Sequence, residues 1–493
     1  MPDNHPGPHG DIEELLARHE QVAQAVVLPR EDPATGGPGT VAYVLPTAES
    51  ADGPEAGAQA QVQEWQQIYD RVYAASSAAG FGENFSGWNS SYDGRPIDLD
   101  EMRGWRAATV DRIRALEPRR ILEIGVGSGL LLARLAPDCE VYWATDVSAT
   151  AIDELSRHVT ADPRLADRVV LRAQSADRVD GLPTGYFDTV VINSVTQCFP
   201  NGEYLTTVIE RALDCLAPGG VFFIGDNRDL RTLDDFHTAV ALRRTDAADP
   251  AAVTRAMEKS RARDEELLVH PDYFAALAAL DPKVAAVDVQ LEGGDFHNEM
   301  TRHRFDVVLY RAPVETVDVS GCATLRWGSD IDDLRRLTAR LAEADLPVRV
   351  TGIPNARIVG ECGARDALAE GDVHLARQDL GRLTASAVDP HALVRIADKT
   401  GLHLALVPSP ERRDCFEAVF SRPASARTAL VGAYRSSPAA AVRTQVPAAT
   451  HRSRRLAGRL HAWLREQLPE DLVPTAVLTV DRLPLRPDAG IDR

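Results

Sequence analysis

The chain has 493 residues, of which 73 are acidic and 54 are lysine or arginine, so its formal net charge is −19. This length predicts two or three folding units, and this charge argues against a surface that binds nucleic acid or anionic lipid. The six cysteines have no short paired spacing, so we expect reduced, mostly buried thiols and no metal site. Without a signal-like or membrane-length apolar run, we expect a soluble, cytoplasmic protein.

The two ends of the chain carry elements of one small unit. Residues 11–46 have the pattern of a helix followed by two apolar strands. Near the other end, "PTAVLTVDRLPL" predicts a strand, and leucines recurring every fourth residue indicate one face of an amphipathic helix (Leu456, Leu460 and Leu464). Because three elements cannot enclose a core alone, we predict a small α/β unit that is split in two.

Two stretches of small and polar residues separate these ends from the middle of the chain. Residues 47–61 and 432–450 are both typical of linkers. We therefore predict that the chain from about residue 60 to 425 is inserted into the small unit. The predicted boundaries are 11–48 and 430–493 for the split unit, 60–312 for a core with an N-terminal helical cap, and 313–425 for an appended α+β lobe.

A glycine-rich loop marks a ligand site in the inserted core. "RRILEIGVGSGLLLARL" passes from an apolar strand through Gly125, Gly127 and Gly129 into an apolar helix. Glycines let the backbone turn tightly and approach a ligand beside free helix N–H groups. The next strand ends in Asp146, where a carboxylate can take both ribose hydroxyls. Alternating strands and helices predict an open, mostly parallel sheet with its site at the carboxyl edge.

Polar residues follow the later strands of this sheet. Asp177 comes after the third strand, and "YFDTVVINSVTQCF" ends the fourth with Asn193, Ser194 and Gln197. Glu123, just before the glycine loop, adds a negative charge that suits a cationic ligand and not a phosphate. No lysine has a tyrosine four residues before it, so methyl transfer is favoured over hydride transfer. For Asp146 and Asp177, an unreactive acid of the core is the alternative.

These motifs resemble the S-adenosylmethionine-dependent methyltransferases that are inserted in interrupted adenylation domains of nonribosomal peptide synthetases. The resemblance includes "EWQQIYDRVY", "NFSGWNSSYDGRPIDLDEMRGW", "DEELLVHPDYF" and "HNEMTRHRFDVVL", and it covers most of residues 60–425. It implies an α/β, Rossmann-like class I methyltransferase fold with S-adenosylmethionine as cofactor. It places Glu123 near the methionine amino group and Asp177 near the adenine amine. The implied cofactor-binding residues are Glu123, Gly125, Gly127, Gly129, Asp146, Val147, Ala176, Asp177, Asn193 and Ser194.

The split unit resembles the small C-terminal, lid-like subdomain of adenylation domains. Residues 11–46 are similar to the piece that follows the eighth core motif, and "LREQLPEDLVP" and "LPLRPDAGIDR" are similar to the ninth and tenth motifs. Gly490 stands where those domains carry a lysine that contacts the adenylate. Because the adenylating core is also absent from the sequence, we predict no amino-acid activation.

The resemblance also implies an acceptor, since such domains N-methylate the α-amine of an aminoacyl thioester on a carrier protein. Asn298 and Glu299 are our candidates for holding or deprotonating that amine; alternatively, Glu299 pairs with Arg302 or Arg304. Glu292 stands where these enzymes often carry a basic run, which predicts a different entrance for the carrier. The candidate substrate-binding residues are Tyr73, Trp88, Tyr92, Gln197 and His297.

Simpler structural roles compete with several of these assignments. Trp88 and Tyr92 form an aromatic lid over the sulfonium or pack under the helical cap. Tyr69 and Tyr73, four residues apart, form a packing stripe or contact the ligand, and His297 and His303 are catalytic or lie in exposed loops.

The main hypothesis is a methyltransferase that acts in trans on a carrier-bound amino acid or peptide by direct displacement. Two alternatives stay open. One keeps the chemistry and changes the acceptor to a hydroxyl, a thiol or a free small molecule. The other is a non-catalytic scaffold that binds S-adenosylmethionine and recruits synthetase partners.

Overall fold

The computed structural model describes residues 8–31, 38–47, 54–75, 80–382, 387–422, 425, 427–437, 443–445, 447–480 and 483. These residues form two compact units. The small unit comprises described residues of 1–63 and 446–493, and the large unit comprises those of 64–445. The closing stretch with Gly490 lies outside the described residues.

Sixteen strands are present among the described residues. They are β1 (Val22–Glu31), β2 (Pro38–Pro46), β3 (Arg120–Ile124), β4 (Val141–Asp146), β5 (Val169–Ala173), β6 (Phe187–Asn193), β7 (Leu216–Arg228), β8 (Val284–Leu291), β9 (Arg304–Arg311), β10 (Thr316–Asp318), β11 (Ala323–Arg326), β12 (Val348–Pro354), β13 (His403–Pro408), β14 (Cys415–Ser421), β15 (Ala429–Val431) and β16 (Ala476–Thr479).

Seventeen α-helices accompany these strands in the described part of the chain. They are α1 (Pro8–Ala17), α2 (Pro54–Ala75), α3 (Leu99–Arg114), α4 (Leu132–Leu135), α5 (Ala149–Ala161), α6 (Pro163–Ala166), α7 (Gly202–Cys215), α8 (Leu233–Arg244), α9 (Pro250–Arg261), α10 (Pro271–Ala275), α11 (Leu277–Leu280), α12 (Glu299–Arg302), α13 (Leu334–Glu343), α14 (Val359–Ala369), α15 (Val373–Leu380), α16 (Pro390–Thr400) and α17 (Pro447–Gln467). Short 3₁₀ turns lie at Ala136–Asp138, Thr196–Cys198, Leu230–Thr232 and Glu470–Leu472.

The predicted linker at 47–61 is wrong over most of its described length, because α2 begins at Pro54. Proline is well tolerated in the first turn of a helix, and the alanines and glutamines that follow are good helix formers. The predicted linker at 432–450 is also too long, because α17 begins at Pro447. In both places the small residues that predict a linker also favour a helix.

The small unit is a three-stranded sheet covered by helices. β1 and β2 are antiparallel, and β16 runs parallel to β2 with Ala476 opposite Val41. The predicted leucine face of α17 packs with α1 in one apolar core, and its three leucines are at most 5% exposed (Leu456, Leu460 and Leu464). Elements from both ends of the chain therefore share one sheet.

The large unit is organised around a seven-stranded sheet with the order β5-β4-β3-β6-β7-β9-β8. The first five strands are parallel to one another, and β9 is antiparallel to both of its neighbours. Successive residues of β3 and β6 enter two different apolar clusters, as expected for a sheet that is buried on both faces. The predicted Rossmann-like class I fold is confirmed by this topology.

A second sheet, with the order β11-β12-β14-β13, builds the appended α+β region. α13 and α16 contribute Leu337 and Leu393 to its core, where both side chains are fully buried. Arg349 of β12 and Glu417 of β14 form a buried ion pair at 2.7 Å. β10 and β15 form a separate parallel pair.

None of the helices in the described part of the chain is both long enough and apolar enough to cross a membrane.

Candidate active site

The glycine loop lies at the carboxyl end of β3. Gly125, Gly127 and Gly129 have φ angles of +81°, +53° and +79°, which glycine adopts without strain. The amide of Gly125 donates to the Thr145 carbonyl of β4 at 2.8 Å and closes the first turn. A Cβ atom at Gly127 would lie 2.8 Å from Tyr73 Oη. The absence of a side chain at Gly127 therefore leaves room for Tyr73 of α2 beside the loop.

Asp146 ends β4 beside this loop and is buried. Its Oδ2 accepts from the amide of Gly127 at 2.8 Å, and its Oδ1 accepts from the amide of Ser148, also at 2.8 Å. Burial raises the pKa of Asp146, while the two amides oppose the rise. Val147, between the two partners, is half-buried. The carboxylate is thus fixed in orientation, and each oxygen keeps acceptor capacity for a ligand hydroxyl.

Glu123 lies on β3 and is 3% exposed. Its Oε2 accepts from Tyr142 Oη of the neighbouring β4 at 2.7 Å. Burial raises the pKa of Glu123 to about 8, although the Tyr142 bond opposes the rise. Burial therefore favours the neutral form of Glu123, and a cation bound nearby would lower its pKa and favour the carboxylate.

Asp177 lies in the loop after β5, next to the half-buried Ala176. Asp177 Oδ1 accepts from Ser175 Oγ at 2.7 Å and from Tyr204 Oη at 2.9 Å. Its Oδ2 is 3.9 Å from Arg211. The carboxylate is consequently oriented by side chains of its own loop and of α7.

Asn193, Ser194 and Gln197 lie together at the carboxyl end of β6. Ser194 has a φ of +58°, which is uncommon for a residue with a side chain. Gln197 Nε2 donates to the Ser194 carbonyl at 2.8 Å. Asn193 Oδ1 and Gln197 Oε1 are buried and accept no hydrogen bond from any described residue. These two buried acceptors are therefore available at this strand end to the donors of a ligand or of a water molecule.

The aromatic residues of α2 form a stack that ends at the glycine loop. Ring centroids are 5.9 Å apart for Trp65 and Tyr69 and 5.8 Å apart for Tyr69 and Tyr73. Tyr69 Oη lies 3.6 Å from Cys198 Sγ, after β6. The packing stripe is present, and its last ring, Tyr73, also touches the loop.

Asn298 and Glu299, the candidate acceptor pair, are held by the helical cap. Asn298 caps α12 through the amide of Met300 and donates from Nδ2 to Glu101 at 2.8 Å. Glu299 is 8% exposed. Its two oxygens accept from the amide and the hydroxyl of Ser91 at 2.8 and 2.9 Å. Both side chains therefore already have partners within the protein.

The alternative partners of Glu299 have other contacts. Arg302 bonds to Glu361 at 3.1 Å, and Arg304 pairs with Asp226. His303, predicted in an exposed loop or in catalysis, is 5% exposed and lies 2.8 Å from Glu361 Oε2.

Trp88 and Tyr92 of the cap pack within the protein. The Trp88 ring lies 5.2 Å from that of Trp105, in a cluster with Met102 and Met300. Tyr92 is 6% exposed and donates to Glu361 Oε1 at 2.9 Å. These contacts match the packing alternative more closely than a lid over a ligand.

His297 and Glu292 connect strand ends to the appended region. His297 Nε2 lies 3.3 Å from Asp389, the residue that caps α16. Glu292 is 2% exposed, and burial together with Asp306 and Asp226 raises its pKa. Since Glu292 is buried, it does not contribute a negative charge to the protein surface.

The comparisons with known proteins agree with this geometry. A family of methyltransferase domains matches residues 122–222, the stretch from β3 to β7 that forms the loop and the polar strand ends. The chain carries an S-adenosylmethionine-dependent methyltransferase domain. The residues of the domain fit this cofactor, because the bare glycine loop, the fixed Asp146 carboxylate and the donor-free acceptor of Asn193 all lie along one sheet edge.

Similarity also extends beyond the methyltransferase domain. A probable non-canonical nonribosomal peptide synthetase, CymA of Salinispora arenicola, is 37% identical over 98% of this chain. The chondramide synthase cmdD of Chondromyces crocatus is 33% identical over 98% of it. The chain spans only 6% and 13% of these two relatives. The N-methyltransferase NodS of Bradyrhizobium japonicum WM9 aligns with 50% of the chain and 98% of its own length, at 16% identity and a TM-score of 0.30.

One residue of the methyltransferase edge was missed in the sequence. Asp226 lies on β7 in "IGDNR", directly after Gly225, which pairs with Asn193 of β6. It is fully buried and contacts Ser194 and Arg304. The signal in the sequence is an acid near the end of this strand, beside the polar end of β6.

The structure thus brings together the glycine loop, Asp146, Tyr73 and the end of β6. The candidates from the cap and from α12 form a second group, which is linked by Ser91, Glu101 and Glu361.

Proposed function

We propose that this chain N-methylates the α-amine of an amino acid or peptide held as a thioester on a carrier protein, acting in trans and without adenylating activity. The observation that carries the proposal is the 37% identity to a nonribosomal peptide synthetase over 98% of the chain. That match includes the small split unit as well as the methyltransferase domain. A carrier-bound substrate is the acceptor chemistry that unites these two parts.

The proposed cofactor contacts follow from the sheet edge. Asp146 takes the ribose hydroxyls, Asp177 lies by the adenine amine, and Glu123 lies by the methionine ammonium. The backbone of Gly125, Gly127 and Gly129 lines the same ligand, with Val147, Ala176, Asn193 and Ser194 around it. S-adenosylmethionine supplies an electrophilic methyl group on a sulfonium.

The proposed acceptor residues work on the amine. An α-ammonium cannot attack until it has lost a proton, so a carboxylate near it serves as base. We assign this role to Glu299, with Asn298 positioned beside it. Glu299 would take the proton of the ammonium, which frees the nitrogen lone pair to accept the methyl group that S-adenosylmethionine would supply. Tyr73, Trp88, Tyr92, Gln197 and His297 are the proposed lining of the acceptor side.

Mass spectrometry of loaded carrier proteins tests the proposal. Separately purified aminoacyl carriers are incubated with the chain and S-adenosylmethionine, and the ejected pantetheine arm is fragmented. We expect a gain of one methyl group on the α-nitrogen. A methyl on a side-chain oxygen or sulfur would replace the N-methyl assignment. Cofactor binding without any methylated carrier would favour a free small-molecule acceptor or a scaffold.

The base assignment is tested separately with Glu299→Gln. We expect slower methylation at mildly acidic pH, with recovery as the amine loses its proton without help at higher pH. Rates equal to those of the wild type from mildly acidic to mildly basic pH would contradict the assignment.

A further inference from the structure

Two strained residues lie side by side at the carboxyl ends of β6 and β7. Ser194 has a φ of +58° and Asp226 a φ of +61°, and neither is glycine. The Ser194 hydroxyl donates to Asp226 Oδ2, and the Ser194 amide donates to the Gly225 carbonyl at 3.3 Å. Such conformations cost about 1–3 kcal/mol each and persist where the surroundings enforce them, often at functional sites.

The surroundings hold Asp226 in one orientation. Arg304 of β9 forms an ion pair with Asp226 Oδ2, and the Asp226 amide donates to Asp306 Oδ1 at 2.9 Å. Asp226 Oδ1 is different, because it is buried and receives no hydrogen bond from the described residues. One oxygen is therefore used for positioning, and the other is left without a donor.

Two more acceptors beside Asp226 are also without donors. Gln197 is 4% exposed, and its Oε1 has no donor in the described chain; the same holds for Asn193 Oδ1. The Asn193 oxygen packs directly on Gly225, the residue before Asp226. An acceptor that is buried without a hydrogen bond costs about 1–3 kcal/mol. Ser194 links the three residues, because its hydroxyl donates to Asp226 Oδ2, its carbonyl accepts from Gln197 Nε2 at 2.8 Å, and Asn193 is the residue before it. Three donor-free acceptors grouped around Ser194 suit a ligand that is rich in donors.

This group borders the cofactor loop. Val195, between Ser194 and the 3₁₀ turn at Thr196, packs so closely on Gly125 that a Cβ atom there would clash with it. Val195, the residue after Ser194, thus joins this polar group to the glycine loop. A ligand group at Asp226 would be a neighbour of the methyl donor.

We propose that Asp226 Oδ1, Asn193 Oδ1 and Gln197 Oε1 form the binding site for the protonated amine of the methyl acceptor. An ammonium has three N–H donors and a positive charge, so it matches three acceptors of which one is a carboxylate. Ser194 and Arg304 are positioning residues that hold Asp226 in place. This inference rests on the proposed function, because it names the group by which that acceptor is recognised. It gives the holding of the ammonium to the Asp226 site and leaves Glu299 the role of base only; Arg304, the partner of Asp226, also lies within the electrostatic reach of Glu299.

Binding of a substrate mimic tests the site without catalysis. The protein is saturated with S-adenosylhomocysteine, and alanyl-pantetheine amide is titrated by calorimetry against its N-acetyl derivative, which lacks the ammonium. We expect Asp226→Asn to weaken binding of the free-amine probe about tenfold or more, as for loss of one charged hydrogen bond. Binding of the acetylated probe is expected to change less than twofold.

Two further variants keep the test decisive if Asp226→Asn folds poorly. Ser194→Gly keeps the positive φ and removes only the hydroxyl that positions Asp226, and we expect a smaller loss for the free-amine probe alone. Asp288→Asn is the matched control, since Asp288 on β8 is also a buried acid with a donor-free Oδ1 among described residues. Its variant is expected to bind both probes as the wild type does.

The outcomes separate this inference from the proposed function. Equal losses for both probes in Asp226→Asn, or no loss for either, would overturn the amine site. The second result is expected if a neutral Glu292, whose Oε2 is likewise donor-free within the described residues, donates to Asp226 instead. A probe that fails to bind the wild type overturns the site too. Selective loss of the free-amine probe, with no methylated carrier in any assay, would keep the amine site and reject the carrier-bound acceptor.

Discussion

The glycine loop differs from the loop before α3 that contains Ser91 and Tyr92, which we call the cap loop, in how far apart in the chain its bonded partners lie. Gly127 and Asp146, which are joined by a hydrogen bond, are 19 residues apart in the chain. Ser91 and Glu299, joined in the same manner, are 208 residues apart. The first pair is fixed by one strand, one turn and the next strand, so a short motif contains it. The second depends on how the cap meets α12, which no short motif describes.

The contrast also concerns what the polar groups do. Beside the glycine loop, at the end of β6, Asn193 and Gln197 each have a buried acceptor that receives no hydrogen bond from the described residues. Around the cap loop, Glu299, Tyr92 and Asn298 bond to other side chains and amides. Acceptors at the end of β6 are therefore available to the donors of a ligand, whereas these three side chains of the cap region are bonded within the protein.

The largest effect is expected from Gly127→Val. A Cβ at this position would lie 2.8 Å from Tyr73 Oη, and a φ of +53° is unfavourable for a β-branched residue. We expect S-adenosylhomocysteine binding to weaken about 100-fold, equivalent to about 3 kcal/mol, by calorimetry. Gly401→Ala is the control, because Gly401 has a φ of +66° and nothing within 4 Å of its Cβ position. Comparable weakening in both variants would contradict a specific role for the loop.

The next effect concerns pH and Glu123. Burial raises its pKa in the folded protein to about 8, above an unfolded value of about 4.3. The folded state therefore binds the proton more tightly, and this stabilisation is lost as the pH rises through about 8. Between pH 6 and 8 the loss amounts to about 2 kcal/mol. We expect Glu123→Gln to remove that part of the pH dependence in denaturant unfolding. An unaltered dependence would show that Glu123 is already ionised.

A smaller effect is expected from Asp146→Asn. The amide has one acceptor oxygen where the carboxylate has two, so it cannot serve both Gly127 and Ser148 and also bind hydroxyls. We expect about tenfold weaker binding of S-adenosylhomocysteine. Asp167→Asn, an exposed acid after α6, is the control. Unchanged affinity in Asp146→Asn would remove it from the cofactor site.

The smallest effect tests the cap. Ser91→Ala and Glu299→Gln remove opposite ends of the same contact, so their effects on unfolding are expected to be non-additive by about 1 kcal/mol. Binding of S-adenosylhomocysteine is expected to stay within twofold of the wild type in both. Additive losses would show that Ser91 and Glu299 act independently, and a strong loss of cofactor affinity would join the two regions that we distinguish.

The sequence was informative where structure is local. The order of strands and helices, the glycine loop and Asp146 follow from periodicity and turn chemistry, and the topology agrees with them. The leucine face of α17 was predicted for the same reason. The start of α2 was missed because alanine and glutamine suit a helix as well as a linker.

The acceptor side was harder to predict because its contacts join distant segments. Nothing near Tyr92 in the sequence points to Glu361, 269 residues later. Asp226 lies in the apolar run of β7, but its importance depends on a positive φ and on a donor-free oxygen, and neither can be read from the sequence. Conformational strain and missing hydrogen bonds are properties of the assembled fold.

The sheet of the small unit places a constraint on synthesis. The Thr475 hydroxyl donates to the Thr40 carbonyl across 435 residues, beside the pairing of β16 with β2. A ribosome makes β2 before β16, so the β2 edge that pairs with β16 stays unpaired while the residues between the two strands are translated. Open strand edges recruit other strands, and domains generally fold as units during synthesis. Slower translation of the intervening residues therefore lengthens the interval in which this edge can pair with a wrong strand.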